Sequence, residues 1–192
     1  MSQPIKLIAT AAMGLESIVK NEIKQLGYEN IQTENGRVMF DADLAGIARS
    51  NLWLRTADRV KLLMDEFNAY SFEELFEQTK ALPWEEWISK EGFIHVVGKS
   101  HKSKLYSVPD CQSIVKKAIV SRLQEAYSLT SRLEETGARY KVEVAILKDK
   151  VTLSLDTSGS GLHKTWLSHW PGRSTFKRDT SSCSHSIDKL DT

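Results

Sequence analysis

The chain has 192 residues, 27% of them charged, with a formal net charge of +1. That length suits one large or two small domains with a substantial core, and the near-neutral total excludes any inference about an acidic partner except from how charge is distributed. Two cysteines, no basic-then-apolar leader and no apolar run near the ~18 residues of a membrane span point to a reducing, cytoplasmic setting without disulfides.

IKLIATA (5–11) reads as a strand. It turns at Met13-Gly14 into LESIVKNEIKQLGY, whose Leu15, Ile18, Val19, Ile23 and Leu26 recur at helical spacing before Gly27. Asn35-Gly36 between alternating stretches predicts a hairpin. LAGIARSNLWLRTADRV gives a second helix and VKLLMDEF (60–67) another strand. The order β-α-β-β-α-β fits a ferredoxin-like layer of two helices on a largely antiparallel sheet. Glu16 and Glu22 fall on the solvated helix face of this pattern, and Arg55 and Arg59 read as braces between units.

A second unit opens near Tyr70-Ser71, where Ser71 and Glu74 form a capping-box pattern before a helix that Pro83 interrupts. Trp84 and Trp87, three apart, predict a further helical turn. With Trp53, they read as core or inter-unit packing. GFIHVVGKS (92–100) is a strand, Pro109-Asp110 a turn, and QSIVKKAIVSRLQEAY (112–127) an amphipathic helix. The last alternating run, ARYKVEVAILKDKVTLSLDTSG, is a hairpin turning at Lys148-Asp149-Lys150. Cys111 is read as a small residue at a helix start, not a reactive thiol.

Charge is uneven in this second unit. Residues 71–91 carry six Glu against Lys80 and Lys90, whereas residues 99–122 carry Lys99, Lys102, Lys104, Lys116, Lys117 and Arg122 against Asp110 alone. In KSHKSK (99–104) cationic and hydroxyl residues alternate, and both groups donate to phosphate oxygens without reading base sequence. Lys99, Ser100, His101, Lys102, Lys104, Lys116, Lys117 and Arg122 are therefore the candidate RNA-binding residues.

ATAAMGLESIVKNEIKQLG, NLWLRTADRV, KSHKSKLYSVPDCQSIVKKAI and LDTSGSGLHK, in that order, resemble the N-terminal half of bacterial THUMP-containing, S-adenosylmethionine-dependent RNA methyltransferases related to the 23S rRNA guanine-N2 methyltransferases. The resemblance implies an α+β fold with a ferredoxin-like domain at 1–68 and a THUMP RNA-binding domain at 69–158. It also implies structured, ribosomal RNA as partner. The family continues into a Rossmann-like domain that holds S-adenosylmethionine and clamps the target amine with an N/D-P-P-F/Y motif. Here Pro4, Pro83, Pro109 and Pro171 are mutually isolated, and Gly159-Ser160-Gly161 is followed by no helix. No catalytic or cofactor-binding residue is expected in the chain, which would be inactive alone.

Residues 159–192 read as the start of a linker and an irregular tail. His163, His169, Cys183 and His185 match no common zinc spacing, so no metal is expected. Trp166, Trp170 and Arg173 fit a nucleic-acid arm less well than a shift of reading frame. The family motif GLHKRGYR stands here as GLHKTWL. One extra nucleotide before the Thr165 codon lets TWLSHWPGRSTFKRDTSSCSHSIDKL be recoded as RGYRIGQGEAPLKETLALVLTQLTNW, with glycine forced at the Trp170-Pro171 junction. The expectation is thus an RNA-positioning half of a methyltransferase, truncated by a frameshift. A free-standing RNA-binding adaptor is the alternative, and a hydrolase built on the tail His and Cys would need a metal.

Overall fold

The computed structural model describes residues 4–128 and 133–158. β1 (Ile5–Thr10), α1 (Glu16–Gln25), β2 (Gln32–Glu34), β3 (Arg37–Ala42), α2 (Leu44–Trp53) and β4 (Arg59–Asn68) form the predicted first unit. α3 (Phe72–Lys80), a 3-10 turn at Trp84–Glu86, β5 (Phe93–His101), α4 (Val108–Ala126), β6 (Arg139–Leu147) and β7 (Lys150–Asp156) follow.

All seven strands join one sheet in the order β2-β3-β1-β4-β7-β6-β5. β4 joins the two halves. It pairs antiparallel with β1 through Arg59–Leu62 and with β7 through Lys61–Asn68, absorbing a bulge between Leu63 and Asp65. The α4 crossover makes β5 and β6 the parallel pair of an otherwise antiparallel sheet. The fold is mixed α+β, with ferredoxin-like order in its first half.

Strand alternation places Leu7, Phe40, Leu62, Val144 and Leu153 in one apolar cluster with Val19 and Ile23 of α1, Leu75 of α3, and Val115, Ile119 and Leu123 of α4. Lys61, Glu143, Thr152 and Ser154 fall on the alternate face and are nonetheless buried; Lys61 pairs there with Glu143 at 2.6 Å, and the Thr152 hydroxyl donates to Glu66 at 3.1 Å.

Local chemistry accounts for the helix ends. Asp43 caps α2 by accepting from Gly46 N at 2.8 Å, and Ser71 caps α3 by accepting from Glu74 N at 3.2 Å. Glu74 reaches back to Tyr70 N at 2.7 Å, one residue before the cap. The Lys148-Asp149 hairpin turn holds both residues at positive φ, 52° and 65°, the twist-matched geometry for tight hairpins.

Four expectations need correction. α4 begins at Val108, so Pro109-Asp110 lies inside its first turn, where a missing proline N–H costs no helical bond. Glu16 is not simply solvated: its carboxylate accepts from Gly14 N at 2.8 Å and Gly36 N at 2.9 Å, tying α1 to the β2–β3 turn. Glu22 likewise accepts from Arg55 N at 3.1 Å, Thr56 N at 3.2 Å and the Thr56 hydroxyl. Trp53, read as packed, is instead 61% exposed, whereas Trp84 is core as expected, its indole N–H donating to Thr79 O at 2.7 Å. Arg59 braces the halves as expected, bonding Asp156 at 2.9 Å.

Candidate nucleic-acid interface

The basic run follows edge strand β5 into a loop clamped against the β6–β7 turn. Ser100 Oγ donates to Leu105 O at 2.6 Å and closes the loop at its base. Lys104 N–H donates to Asp149 Oδ1 at 2.7 Å, Asp149 N–H to Ser103 Oγ at 3.1 Å, and Lys148 N–H to His101 O at 3.2 Å. Ala69 N–H reaches Asp149 O at 3.0 Å and brings the β4–α3 connection to the same corner. These bonds hold the loop backbone in place before any ligand arrives, and Lys102 sits within it at φ 50°. A preformed loop loses less entropy on binding.

On this corner His101, Lys102, Lys104 and Lys148 are all exposed. The Lys104 ammonium lies 5.0 Å from the Tyr70 ring centroid, and Tyr106 is 84% exposed. Three cations, an imidazole and two aromatic rings therefore share one surface built from three chain segments. Such a set can contact phosphates and offer a flat apolar face to an unpaired base.

The other predicted residues are placed differently. Lys99 bonds Glu143 at 2.9 Å while its side chain stays 73% exposed. Lys116 pairs with Glu135 at 2.9 Å and stands over Phe93. Arg122 forms a two-pronged contact with Glu85, its Nε at 2.9 Å, and this bond holds the Glu85 carboxyl below the ordinary range. Lys117 is exposed on α4, beside an open depression lined by Ser113, Lys116, Val120, Leu133 and Glu135. Ser100 commits its hydroxyl to the loop itself. The local field along β5 is positive: burial, then the charges of Arg139, Lys141 and Lys116, push the His95 imidazole below its ordinary pKa.

Sequence reasoning missed Tyr70, Tyr106 and Lys148. Tyr106 adjoins the basic run and was legible there; Tyr70 and Lys148 join the corner only through the fold. Cys111 is buried and burial pushes its thiol up, consistent with packing. Among the described residues no group of three or more His, Cys, Asp or Glu is placed to hold a metal, and no helix is long and apolar enough to cross a membrane. The tail residues where no cofactor or metal site was expected, Gly159, His163, His169, Cys183 and His185, lie outside the described residues. The strand–turn–helix at Met13-Gly14 is no cofactor cradle, because Glu16 already occupies the Gly14 and Gly36 amides.

Residues 6–61 match the RlmL ferredoxin-like domain, and residues 69–156 match the THUMP domain. The chain is 54% identical over 159 residues to a Bacillus subtilis protein named "Putative RNA methyltransferase YpsC", covering 82% of this chain and 41% of that protein. It is 31% identical over 164 residues to the ribosomal RNA large subunit methyltransferase K/L of Syntrophotalea carbinolica, covering 85% of this chain and 23% of the other. A crystal structure from Listeria monocytogenes, described as a "predicted N6-adenine-specific DNA methylase", superposes with a TM-score of 0.79 at 57% identity, over 89% of this chain and 45% of that one. SMU.472, described as "a putative methyltransferase complexed with SAH", superposes with a TM-score of 0.77 at 43% identity, over 81% of this chain and 42% of its own. The chain thus spans less than half the length of each of these proteins.

Proposed function

We propose, on the premise that this chain belongs to the proteins that join an RlmL ferredoxin-like domain to a THUMP domain, that it is the RNA-positioning module of an RNA methyltransferase. The observation that carries the reading is the locked corner where Lys102, Lys104 and Lys148 stand exposed around Tyr70 and Tyr106. Lys99, Ser100 and His101 adjoin it on β5, whereas Lys116, Lys117 and Arg122 lie further along α4, with Lys116 over Phe93 at the opposite end of β5, and those already paired with carboxylates contribute less to phosphate binding. The substrate is structured RNA. The finer reading is a guanine N2 in ribosomal RNA; its ribosomal part draws support from the large-subunit methyltransferase among the relatives, and the guanine N2 rests on the sequence resemblance alone.

S-adenosylmethionine would be held, and the methyl group transferred, by the part of the relatives that lies beyond the matched stretch. None of the described residues is assigned to that step. Residues 165–192 are read as coding sequence translated in a shifted frame, in keeping with a resemblance that stops at Lys164. Sequencing the gene tests this: a downstream shifted frame without an N/D-P-P motif refutes it.

RNA binding is tested by fluorescence anisotropy on a structured ribosomal RNA fragment over a salt series. The triple variant Lys102→Ala/Lys104→Ala/Lys148→Ala should flatten the log–log salt dependence by about 2 to 3, at ~0.7–0.9 per phosphate contact. An unchanged slope in a folded variant refutes the assignment.

A further inference from the structure

The exposed side of α2 is apolar. Helical spacing puts Leu44, Ala45, Ala48, Leu52 and Trp53 on its outer arc, all exposed, with Leu44 at 56%, Leu52 at 65% and Trp53 at 61%. The single charge on that arc, Arg49, leans away: its guanidinium bonds the Tyr28 hydroxyl at 3.3 Å and lies 5.9 Å from the Tyr28 ring centroid. The opposite side, with Gly46 and Ser50, is buried. A helix that is apolar all round normally has both sides covered.

The path of the chain identifies what covers the outer side. After β7, Thr157 and Ser158 are fastened to the last turn of α2. Asn51 Nδ2 donates to Thr157 Oγ1 at 3.1 Å, and Ser158 Oγ donates to Asn51 Oδ1 at 2.9 Å. Thr157 N–H and its hydroxyl also donate to Val60 O, at 3.1 Å and 2.7 Å, and Val60 N–H donates to Ser158 Oγ at 2.8 Å. Leu52 and Trp53 are the next two residues after Asn51. In the relatives more than half of the protein lies outside the stretch this chain matches. A domain tethered at this point would meet the α2 face at high effective concentration.

We infer that the outer face of α2, centred on Leu52 and Trp53, is the docking surface for the methyltransferase part of the homologous proteins. It fixes the angle between the RNA-positioning module and the reacting centre. The assignment is independent of the RNA corner, which lies on β5 and the β6–β7 turn.

Hydroxyl-radical footprinting read by mass spectrometry tests it. The 192-residue chain is compared with a full-length chimera in which residues 1–158 replace the matching stretch of the Bacillus subtilis relative. Leu52 and Trp53 should be labelled about tenfold more slowly in the chimera, as expected of anchors buried at the centre of an interface. Leu52→Asp in the chimera should restore labelling of Trp53 without changing RNA affinity. Equal labelling in the two proteins overturns the inference. A measurement on the 192-residue chain alone stands without the chimera: it should sediment as a monomer with Trp53 readily labelled. A dimer abolished by Leu52→Asp, or a Trp53 already protected, assigns the face to another occupant and also overturns it.

Discussion

Glu143→Gln should be strongly destabilising, and the geometry sets the size of the effect. Glu143 on β6 accepts from Lys61 Nζ on β4 at 2.6 Å and from Lys99 Nζ on β5 at 2.9 Å, so one carboxylate ties three strands together across β7. The side chains of Glu143 and Lys61 are only 11% and 9% exposed. Neutralising the carboxylate leaves the Lys61 ammonium buried without a counter-charge, and breaking such a pair costs about 3–5 kcal/mol. Lys99 lies largely in water, which puts the expected loss near the lower limit, about 3 kcal/mol. At ~2–4 °C per kcal/mol for a chain of this size, the midpoint of a thermal melt followed by circular dichroism should fall by about 6–12 °C. Lys61→Met/Glu143→Leu removes both charges and should recover to within about 1 kcal/mol of the parent. The pH dependence follows. Burial raises the Glu143 pKa, but hydrogen bonds and charge from Lys61 and Lys99 outweigh it and leave the pKa below the ordinary value. Its contribution is therefore complete above the unfolded carboxylate range and is lost as pH falls through the folded value, so parent and Glu143→Gln should converge in acid. A Glu143→Gln melt within 2 °C of the parent at neutral pH, or a gap that widens in acid, would refute the reasoning.

Arg122→Ala should lower the urea unfolding midpoint slightly through loss of its Glu85 contact, and should flatten the RNA salt slope less than Lys102→Ala does. Gly46→Ala places a Cβ 2.7 Å from the Ala42 Cβ and 3.1 Å from the Tyr28 hydroxyl, so overpacking of about 1–3 kcal/mol should appear in the same assay. Cys111, buried and with a thiol pushed up first by burial and then by Asp110, should react with a thiol reagent only at the rate of unfolding. Rapid labelling of the native protein would contradict its placement.

Much of the candidate site was readable from local pattern. KSHKSK is a contiguous run, and its position after an alternating strand was enough to place it at a strand end. Tyr70 and Lys148 could not be found that way, because each is remote from the run in sequence and reaches it only through tertiary bonds, those of Asp149 and of Lys148 N–H to His101 O. Pairing was equally hidden. Lys99, Lys116 and Arg122 look alike in sequence, yet their carboxylate partners come from β6, the segment before it, and the turn at Trp84–Glu86.

Periodicity, caps and turn residues act within a few positions along the chain. The sequence by itself therefore determined the order of strands and helices, the hairpins and the basic run. Whether a surface is covered depends on what packs there from a distance. Only the tertiary structure decided that Trp53, which reads like Trp84 in sequence, is exposed, that Glu16 and Glu22 are clamps, and that both halves share one sheet through β4. Its reason is long-range: strand pairing and side-chain burial join residues whose separation in sequence leaves no local trace.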